Sequence, residues 1–446
     1  MGKYFGTDGV RGVANKTLTL EMAFNIGRYL GNFAKSNGQG KITIGKDTRL
    51  SSSMFENILA SGIAASGCNA YLIGYCSTPC LAYVAQADDF DLGVMISASH
   101  NPYYDNGIKV FSNDGIKLKE EILLKVEEYM DNPTGIDYAT DENIGLIYLY
   151  PEGLAHYEDW IKKLYPNNLN GIKILADCAN GSNSGIAYPV LSDLGAKVST
   201  INYNPNGINI NNGCGSTHLE SLKAEIVKGD YDIGLAFDGD ADRLQVVDKN
   251  GNEINGDKIM YVLAKYFKAM NMLENDTLVV TGYSNIGLHK ALDKLNIKRE
   301  IVENGDKYVL DCMLNNNYSL GGEQTGHIII KKDCNFGDGL KTALCLINAL
   351  AYFKQDIIEA TSDLKIYPQL LVNVKVKDKN VVLEDKDITN KIEQIRSILS
   401  NNGQILVRAS GTEPLIRVMV EAENDELCNK YVSAVTDLIK SKGYEM

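Results

Sequence analysis

The chain has 446 residues, which is too long for one hydrophobic core and predicts roughly three domains. Hydrophobic residues make up 44% of it and charged residues 23%, as in ordinary globular proteins, and no apolar run is long enough to span a bilayer. The formal net charge of −13 argues against nucleic acid as a partner, so an anionic ligand would have to be bound by local arginine and lysine side chains.

The nine cysteines are odd in number and irregularly spaced, which favours reduced thiols of a cytoplasmic protein over a disulfide framework. Cys76 and Cys80 are the only close pair, and no second pair or nearby histidine completes a zinc site. The N-terminal segment lacks an apolar signal-peptide core, and we expect it to form a folded first strand.

The first third of the chain alternates helix-like and strand-like segments. A helical period over residues 19–36 places on one face Ala23, Phe24, Gly27, Leu30 and Ala34. A second helix is predicted at Met54–Ser66. Short apolar runs predict strands at Lys41–Gly45, Ala70–Gly74 and Leu92–Ile96. This alternation is typical of an α/β domain, and the break at Asn132–Gly135 places its end near residue 150.

The pattern then restarts twice. The first restart contains a helix around Ser184–Leu194 and strands at Ile172–Ala176, Asp232–Phe237 and Leu244–Asp248. The second begins at Lys258 and contains a strand at Thr277–Gly282 and a long helix at Asp338–Phe353. The sequence therefore predicts three related α/β domains, each a mixed sheet between helix layers, over residues 1–149, 150–252 and 253–367.

The last predicted domain, residues 368–446, follows a different pattern. Strands are expected at Leu370–Val376, Gln404–Arg408 and Leu415–Glu421, and an amphipathic helix at Glu426–Lys442. The charged stretch Lys377–Lys391 is predicted to be a loop. This combination indicates a small α+β domain.

Three aspartates, Asp238, Asp240 and Asp242, alternate directly after a predicted strand. The glycine and alanine between them keep the turn uncrowded, so the carboxylates can converge on one hard cation. The segment is not an EF-hand loop, because Arg243 and Lys249 stand where that loop needs glycine and glutamate. A solvated acidic turn is the alternative. Arg243 favours the metal site, because a guanidinium beside a bound cation suits a ligand with negative oxygens.

Ser99 stands in the polar turn Ile96–Pro102, just after a predicted strand. The turn alone could be only a capping turn. A hydroxyl is a weak nucleophile unless it is activated, and the adjacent His100 has poor geometry for a serine–histidine dyad. We therefore favour a phosphoserine at Ser99 that donates its phosphoryl group beside the cation, with Ser97 as the rival serine. Lys109 is either a solvated lysine or a general acid/base near the transferred group.

The loop Gly321–His327 has the composition of a sugar-binding turn. Glu323 can accept hydrogen bonds from vicinal sugar hydroxyls, and the glycines allow the backbone to approach a ligand closely. His327 can shuttle a proton or donate a hydrogen bond. Without the other motifs, a structural glycine-rich turn would be the favoured interpretation.

The segment Arg408–Pro414 is a phosphate-clamp pattern. It combines a guanidinium with two hydroxyls and an exposed backbone, and its members are Arg408, Ser410, Gly411 and Thr412. Arg417, on the next predicted strand, would add a second fork. Because this clamp is remote in sequence from Ser99, we expect a separate, mobile domain to hold the non-reacting phosphate of the substrate.

These motifs, in this order and over the whole chain, resemble the α-D-phosphohexomutase superfamily. Supporting segments are Tyr4–Gly12, Asn211–His218 and Leu415–Glu421. The resemblance implies three related α/β domains and a mobile α+β domain around one deep cleft. It also implies that Ser99 carries the phosphate and that this residue and the three aspartates hold Mg²⁺.

The resemblance assigns roles to further residues. Around the reacting phosphoryl group it places Arg11, Lys109, Arg243 and His327. Glu323 and Thr325 match the sugar-hydroxyl loop, in which the family usually has serine at the position of Thr325, so the hydroxyl is kept. The family usually has arginine at position 307. Lys307 cannot reproduce a bidentate fork, so the resemblance carries no phosphate-binding role to it.

The implied reaction interconverts glucosamine 6-phosphate and glucosamine 1-phosphate and feeds UDP-N-acetylglucosamine and cell-wall synthesis. Phosphorylated Ser99 donates to O1 or O6, and the resulting bisphosphate turns over and returns its other phosphate. The implied cofactors are one Mg²⁺ per chain and, as activator, glucosamine 1,6-bisphosphate or glucose 1,6-bisphosphate. The expected partner is a small phosphosugar, with no nucleic acid and no membrane insertion. A homodimer and a diadenylate cyclase partner are expectations from the family alone.

Three alternatives stay open. A phosphomannomutase or phosphoglucomutase would differ only in the contact at C2 of the sugar, which the sequence does not locate. A phosphatase would lose the phosphoryl group of its serine to water and need no bisphosphate activator. A non-catalytic sugar-phosphate sensor would be expected to lack Ser99 or one of the aspartates, and all are present.

Overall fold

A computed structural model describes residues 2–165, 169–332, 334–410 and 414–446 of the chain. These residues form four β-sheets of seven, five, four and three strands. The first three sheets are mixed and carry helices, whereas the fourth is antiparallel throughout. The prediction of three α/β units followed by an α+β unit is therefore confirmed. Among the described residues, no helix combines the length and the apolar character needed to cross a membrane.

The first unit consists, in chain order, of β1 (Phe5–Gly6), β2 (Gly9–Val13), α1 (Leu20–Asn37), β3 (Lys41–Lys46), α2 (Ser52–Ala65), β4 (Asn69–Tyr75), α3 (Thr78–Ala87), β5 (Leu92–Ile96), β6 (Asp105–Ser112), α4 (Glu120–Asp131) and β7 (Ile147–Leu149). Its strands lie in the order β1-β2-β6-β5-β3-β4-β7. Strands β3, β4 and β5 are parallel, and β5 is buried along its whole length, as expected for a strand covered on both faces. Their carboxyl ends therefore share one edge of the sheet.

The second unit consists of α5 (Glu152–Leu164), β8 (Lys173–Asp177), α6 (Ala187–Asp193), β9 (Lys197–Ile201), α7 (Glu220–Ile226), β10 (Ile233–Phe237), β11 (Leu244–Asp248) and β12 (Glu253–Ile254). The strand order is β12-β11-β10-β8-β9, and the fully buried β10 runs parallel to β8. The aspartate turn begins directly at the carboxyl end of β10.

The third unit consists of α8 (Gly256–Ala269), β13 (Thr277–Thr281), α9 (Ile286–Lys294), β14 (Lys298–Val302), α10 (Asp306–Asn316), β15 (Leu320–Gly322), β16 (Ile328–Ile330), α11 (Gly339–Phe353) and α12 (Ile357–Ala360). The strand order is β14-β13-β15-β16. Because β13 and β15 are parallel, the loop after Thr281 and the loop after Gly322 lie at the same edge of this sheet.

The fourth unit consists of β17 (Gln369–Lys375), α13 (Lys379–Glu384), α14 (Lys386–Leu399), β18 (Gln404–Ala409), β19 (Leu415–Glu421) and α15 (Asp425–Ser441), with strand order β17-β19-β18. The prediction of a loop over Lys377–Lys391 is wrong, because α13 and the start of α14 lie there. Asp378 and Asp385 cap these two helices by accepting backbone N–H groups, and Val382 and Ile388 are buried beneath them.

The fourth unit has an apolar core that is separate from the core shared by the other units. One cluster runs continuously through the second and third units and reaches the first at Cys76, Met95 and Phe111. The fourth unit has its own cluster, drawn only from residues after 373, such as Val418 and Val435. The fourth unit thus forms its hydrophobic core independently of the other three.

Candidate active site

Ser99 lies just beyond the carboxyl end of β5, with 1% of its surface exposed. Its φ angle is +51°, a left-handed conformation that costs a serine on the order of 1 kcal/mol and persists only where the surroundings enforce it. Its N–H donates to Ser97 Oγ at 2.9 Å, and its carbonyl accepts hydrogen bonds from Arg49 Nη2 (2.7 Å) and Asn211 Nδ2 (2.9 Å). The backbone of the serine is therefore fixed on both sides.

A buried ion pair between Asp47 and Arg49 holds this serine loop in place. Arg49 Nε donates to Asp47 Oδ2 at 2.8 Å, and neither side chain has any exposed surface. Asp47 also accepts from Ser97 Oγ at 2.6 Å, while Arg49 donates to the carbonyls of Pro102 and Asp105. This pair was not predicted from the sequence. Asp47 nevertheless lies just beyond the predicted strand Lys41–Gly45, as Ser99 lies just beyond Leu92–Ile96.

The three aspartates are buried in the turn after β10, and one carboxylate oxygen of each lies within 4.8 Å of the others. Ser99 Oγ donates to Asp238 Oδ2 at 2.7 Å, so the first and second units meet at this hydrogen bond. A Cβ atom at Gly239 would lie 2.6 Å from the Ser99 carbonyl oxygen, so the close approach requires glycine. Burial, together with Asp242 and Asp240, raises the pKa of Asp238 well above its usual value.

This oxygen cluster fits a hard divalent cation. Oδ1 of Asp240 and Oδ1 of Asp242 are buried, and neither has a hydrogen-bond partner among the described residues. Uncompensated carboxylate oxygens are costly to bury, and Mg²⁺ prefers such ligands. The aspartates and the oxygen on Ser99 could therefore hold one ion and leave coordination positions for a ligand.

Lys109, on β6, faces this cluster and is 1% exposed, which rules out a solvated lysine. Its Nζ donates to Asp240 Oδ2 at 2.8 Å and lies 3.3 Å from Asp8 Oδ2 and 3.7 Å from Asp242 Oδ2. Although burial disfavours its charge, these carboxylates raise the pKa of Lys109 above its usual value. The lysine therefore stays protonated at neutral pH.

His327 lies close to the same oxygen of Asp242 as Lys109 does. Its Nδ1 is 3.6 Å from Asp242 Oδ2 and its Nε2 is 3.9 Å from Asp306 Oδ2. Burial lowers the pKa of this imidazole, but Asp242, Asp306 and Glu323 outweigh burial and raise it to about 9. At neutral pH the histidine carries a proton that it can donate.

Two arginines and a neutral histidine lie around the same cluster. Arg11 pairs with Asp8, and Nε of Arg11 and of Arg243 is buried without a hydrogen-bond partner in the described part of the chain. His100 Nδ1 lies 3.3 Å from Ser99 Oγ. Burial, with Arg243 and Arg11 nearby, lowers the pKa of His100 to about 4, so this imidazole is neutral at pH 7.

A second lysine joins the first and third units beside this cluster of charged groups. Lys117 Nζ lies 2.8 Å from Asp8 Oδ1 and 2.5 Å from Asp306 Oδ2. Nothing in the local sequence distinguishes these residues from solvated charges. The neighbouring Lys307 extends to Glu120 Oε2 at 3.4 Å, which makes it part of the contact between the same two units.

The predicted sugar-binding loop follows β15. Glu323 N donates to the His327 carbonyl and Glu323 Oε1 accepts from Gly305 N, both at 3.0 Å, and burial raises the pKa of this carboxyl. Gly326 has a φ of +92° and packs against the backbone of Leu244 too closely for a Cβ atom. Thr325 is exposed at the tip of the loop, so its hydroxyl is accessible to a ligand.

The predicted phosphate clamp lies on β18 and β19. Arg408 and Arg417 are directly opposite each other in the antiparallel register, and Arg417 Nε is buried without a hydrogen-bond partner among the described residues. Like charges opposite each other destabilise a sheet, and a bound phosphate would remove that cost. Ser410 is buried at the end of β18, whereas Gly411 and Thr412 lie outside the described residues.

A buried serine hydroxyl beside a carboxylate cluster that could hold a metal, together with paired arginines on an α/β scaffold, is the kind of arrangement that phosphoryl transfer uses. The chain belongs to the phosphoglucomutase/phosphomannomutase family. Models of that family match its alpha/beta/alpha domains I, II and III at residues 2–135, 152–251 and 255–367, and its C-terminal domain at residues 371–438.

Similar curated proteins include phosphoglucosamine mutases of several bacteria. That of Lachnospira eligens is 48% identical over 100% of both chains. Those of Bacillus velezensis and Bacillus subtilis are 46% and 44% identical, each over 99% of both chains.

Solved structures share the fold at lower identity. A phosphoglucomutase/phosphomannomutase family protein from Burkholderia thailandensis is 22% identical, with a TM-score of 0.82 over 98% of this chain and 97% of that one. N-acetylphosphoglucosamine mutase from Aspergillus fumigatus, in complex with GlcNAc-6P and magnesium, is 16% identical, with a TM-score of 0.70 over 99% of this chain and 96% of that one.

Proposed function

We propose that this chain is an isomerase that interconverts glucosamine 6-phosphate and glucosamine 1-phosphate through a phosphoserine. The observation that carries the proposal is the 2.7 Å contact between Ser99 Oγ and a buried carboxylate of the aspartate cluster. The choice of an amino sugar is supported by the phosphoglucosamine mutases that match the chain over its full length. Its product would feed UDP-N-acetylglucosamine and cell-wall synthesis.

We assign the carrier role to Ser99 rather than to Ser97. The Ser97 hydroxyl is fully buried, donates to Asp47 and accepts the Ser99 N–H, so both of its hydrogen-bonding directions are used by the protein. The Ser99 hydroxyl instead faces Asp238, beside Lys109 and the arginines. A phosphoryl group on Ser99 would therefore meet the positive charge that phosphoryl transfer requires.

In the first half-reaction, the free O1 or O6 of the sugar attacks the phosphorus of phosphorylated Ser99. The bond between phosphorus and Ser99 Oγ breaks as the new ester forms, and in net terms the proton lost by the sugar hydroxyl is gained by Ser99 Oγ. The product is a sugar 1,6-bisphosphate and an unmodified serine. In the second half-reaction the serine takes the other phosphate, which regenerates the phosphoserine and releases the isomeric monophosphate.

The protonated Lys109 and His327 would stabilise the charge on the transferring group and supply the proton that the serine needs when it leaves. Arg11 and Arg243, whose Nε groups have no hydrogen-bond partner among the described residues, would bind the phosphoryl oxygens. Mg²⁺ held by the aspartates and Ser99 would offset the negative charge of those oxygens.

The remaining groups would bind the sugar phosphate in either orientation. Glu323 and Thr325 would contact the sugar hydroxyls. The non-reacting phosphate would be held by Arg408, Ser410, Gly411, Thr412 and Arg417. One clamp can serve both orientations because it would contact the phosphate group itself and not the sugar carbon to which that phosphate is attached.

Several further expectations belong to this proposal. We expect glucosamine 1,6-bisphosphate or glucose 1,6-bisphosphate to act as activator by phosphorylating Ser99. We expect the enzyme to act in the cytoplasm, where sugar phosphates are made and used. A homodimer and a diadenylate cyclase partner stay predictions from the family.

A coupled mutase assay with Mg²⁺ tests the proposal. Glucosamine 6-phosphate, glucose 6-phosphate and mannose 6-phosphate are compared at equal concentration, with and without a bisphosphate activator. We expect the amino sugar to be preferred by orders of magnitude, and the Ser99→Ala variant to be inactive while Ser97→Ala keeps a phosphorylatable Ser99. Equal or better rates on glucose or mannose phosphates would contradict the amino-sugar assignment. Release of inorganic phosphate without isomerisation would identify a phosphatase instead.

A further inference from the structure

Tyr283 makes a direct contact with the phosphate clamp from a neighbouring unit. It lies in the loop after β13 of the third unit, whereas Arg408 lies on β18 of the fourth. Arg408 Nε donates to the Tyr283 hydroxyl at 2.9 Å, and the guanidinium carbon lies 4.9 Å from the centroid of the tyrosine ring. The ring and the hydroxyl therefore both act on the same guanidinium.

This contact decides which donors of Arg408 remain for a ligand. A guanidinium has five N–H donors in one rigid plane, and the bond to Tyr283 uses the one on Nε. The two terminal nitrogens then remain as the pair that can bind a phosphate in a bidentate manner. Fixing the plane through Nε removes side-chain freedom that binding would otherwise have to remove, so the fork is preorganised.

The charge arrangement makes such a restraint necessary. Arg408 and Arg417 are opposite each other on neighbouring strands, so in the absence of an anion each repels the other. The hydrogen bond to Tyr283 opposes a rotation of the Arg408 side chain away from Arg417. The tyrosine hydroxyl and ring hold it beside the second arginine, where a single phosphate can contact both.

The loop that carries Tyr283 is itself fixed to the fourth unit. The Tyr283 carbonyl accepts from Gln369 Nε2 and the Ser284 carbonyl from Gln404 Nε2, each at 3.1 Å. The Ile286 N–H donates to Glu421 Oε1 at 2.6 Å. These three partners stand at the start of β17, at the start of β18 and at the end of β19.

The same loop lies at the sheet edge that carries the sugar-binding loop. Strands β13 and β15 are parallel, so Tyr283 and Glu323 follow neighbouring strands at their shared carboxyl edge. Arg408 is thus held at the edge from which the sugar hydroxyls would be contacted.

We propose that Tyr283 is a positioning residue that orients Arg408 for the non-reacting phosphate of the sugar phosphate, across the junction of the third and fourth units. The choice of sugar rests on the proposed function, whereas the phosphate contact rests on the geometry of the two arginines and the tyrosine.

The Tyr283→Phe variant tests this role, because it keeps the ring and removes only the hydroxyl. We expect KM to rise roughly two- to tenfold for glucosamine 6-phosphate, the loss of one hydrogen bond, while kcat changes less than twofold. The matched control is Tyr188→Phe, because Tyr188 is an exposed tyrosine of the second unit. This variant should leave both constants unchanged. Thermal unfolding of both variants shows whether the fold is retained.

A double-mutant cycle separates positioning from a general structural effect. In an Arg408→Lys background no planar guanidinium remains to be oriented, so Tyr283→Phe should add less than a twofold rise in KM. An equal rise in the wild-type and Arg408→Lys backgrounds would overturn the proposal, as would an unchanged KM for Tyr283→Phe alone.

Binding without turnover distinguishes this inference from the proposed function. Calorimetric titration of the full-length Ser99→Ala chain with glucosamine 6-phosphate, glucose 6-phosphate and mannose 6-phosphate measures affinity for the clamp. A two- to tenfold loss of affinity in Ser99→Ala/Tyr283→Phe would support the role of Tyr283 even if the chain were not a mutase. Equal affinity of the two chains, or no binding of any of the three, would overturn it even if the wild type isomerises glucosamine phosphates.

Discussion

Replacing Arg49 with methionine tests how the serine loop is held. The buried guanidinium donates to the carboxylate of Asp47 and to the carbonyls of Ser99, Pro102 and Asp105. Methionine has a similar length but no donor, so Asp47 becomes an unpaired buried charge. Breaking a buried pair from one side costs about 3–5 kcal/mol, and we expect a loss of that size in the free energy of unfolding. We also expect mutase activity to fall with it, because the left-handed backbone at Ser99 loses a restraint.

Urea denaturation followed by fluorescence measures this loss. Trp160, the only tryptophan, stacks on Tyr83 at 4.4 Å and therefore reports on the packing of the second unit against the first. The Asp47→Asn/Arg49→Met variant is the matched control, since it removes both charges and should recover about 1 kcal/mol or more of the loss. The reasoning is refuted if Arg49→Met unfolds within about 1 kcal/mol of the wild type, or if the double variant is less stable than the single one.

Three further outcomes are expected. Mg²⁺ at about 100 times its dissociation constant should stabilise the wild type by about 2.7 kcal/mol in thermal unfolding, and Asp240→Asn should lose most of that gain while the exposed Asp230→Asn keeps it. An equal gain in Asp240→Asn would sink the metal assignment. Burial raises the pKa of Glu421 from 4.5 to about 7 in the folded chain. The protonated carboxyl therefore favours the folded state at low pH, and this contribution to the free energy of unfolding is lost as the pH rises from 4.5 to about 7. The wild type should therefore lose roughly 1–3 kcal/mol relative to Glu421→Gln between pH 5 and 8, and parallel stability curves would contradict this. Arg417→Ala should raise KM by roughly tenfold or more for every phosphosugar alike, whereas a selective effect on one sugar would count against a clamp that contacts only phosphate.

The fold could be predicted because its elements are local. Buried strands such as Leu92–Ile96 are continuous apolar runs, and α1 has an apolar face with the helical period, so periodicity alone identifies both. The loop prediction for Lys377–Lys391 was wrong because α13 has only six residues, which are too few to show a helical period, and only Val382 among them is buried. The predicted domain ends at residues 149, 252 and 367 stay predictions.

Residues of the candidate site could be predicted where polar residues follow an apolar strand in the sequence. They could not be predicted where residues far apart in the sequence come into contact only when the chain folds. Ser99 and the aspartate turn each follow a buried strand, which marks them in the sequence. Asp47 follows a strand in the same way, but its role depends on Ser97, which is 50 residues away. Tyr283 meets Arg408 across 125 residues, and no local feature of the chain distinguishes it from other loop tyrosines.

The most direct test of the central claim is the transfer of labelled phosphate to the serine. The purified chain is incubated with Mg²⁺ and radiolabelled glucosamine 1,6-bisphosphate, and the labelled peptide is located by mass spectrometry. We predict one phosphoryl group on Ser99, which is then lost to either glucosamine monophosphate with formation of the bisphosphate. Label on Ser97, or no label on the protein while isomerisation proceeds, would contradict a phosphoserine mechanism through Ser99.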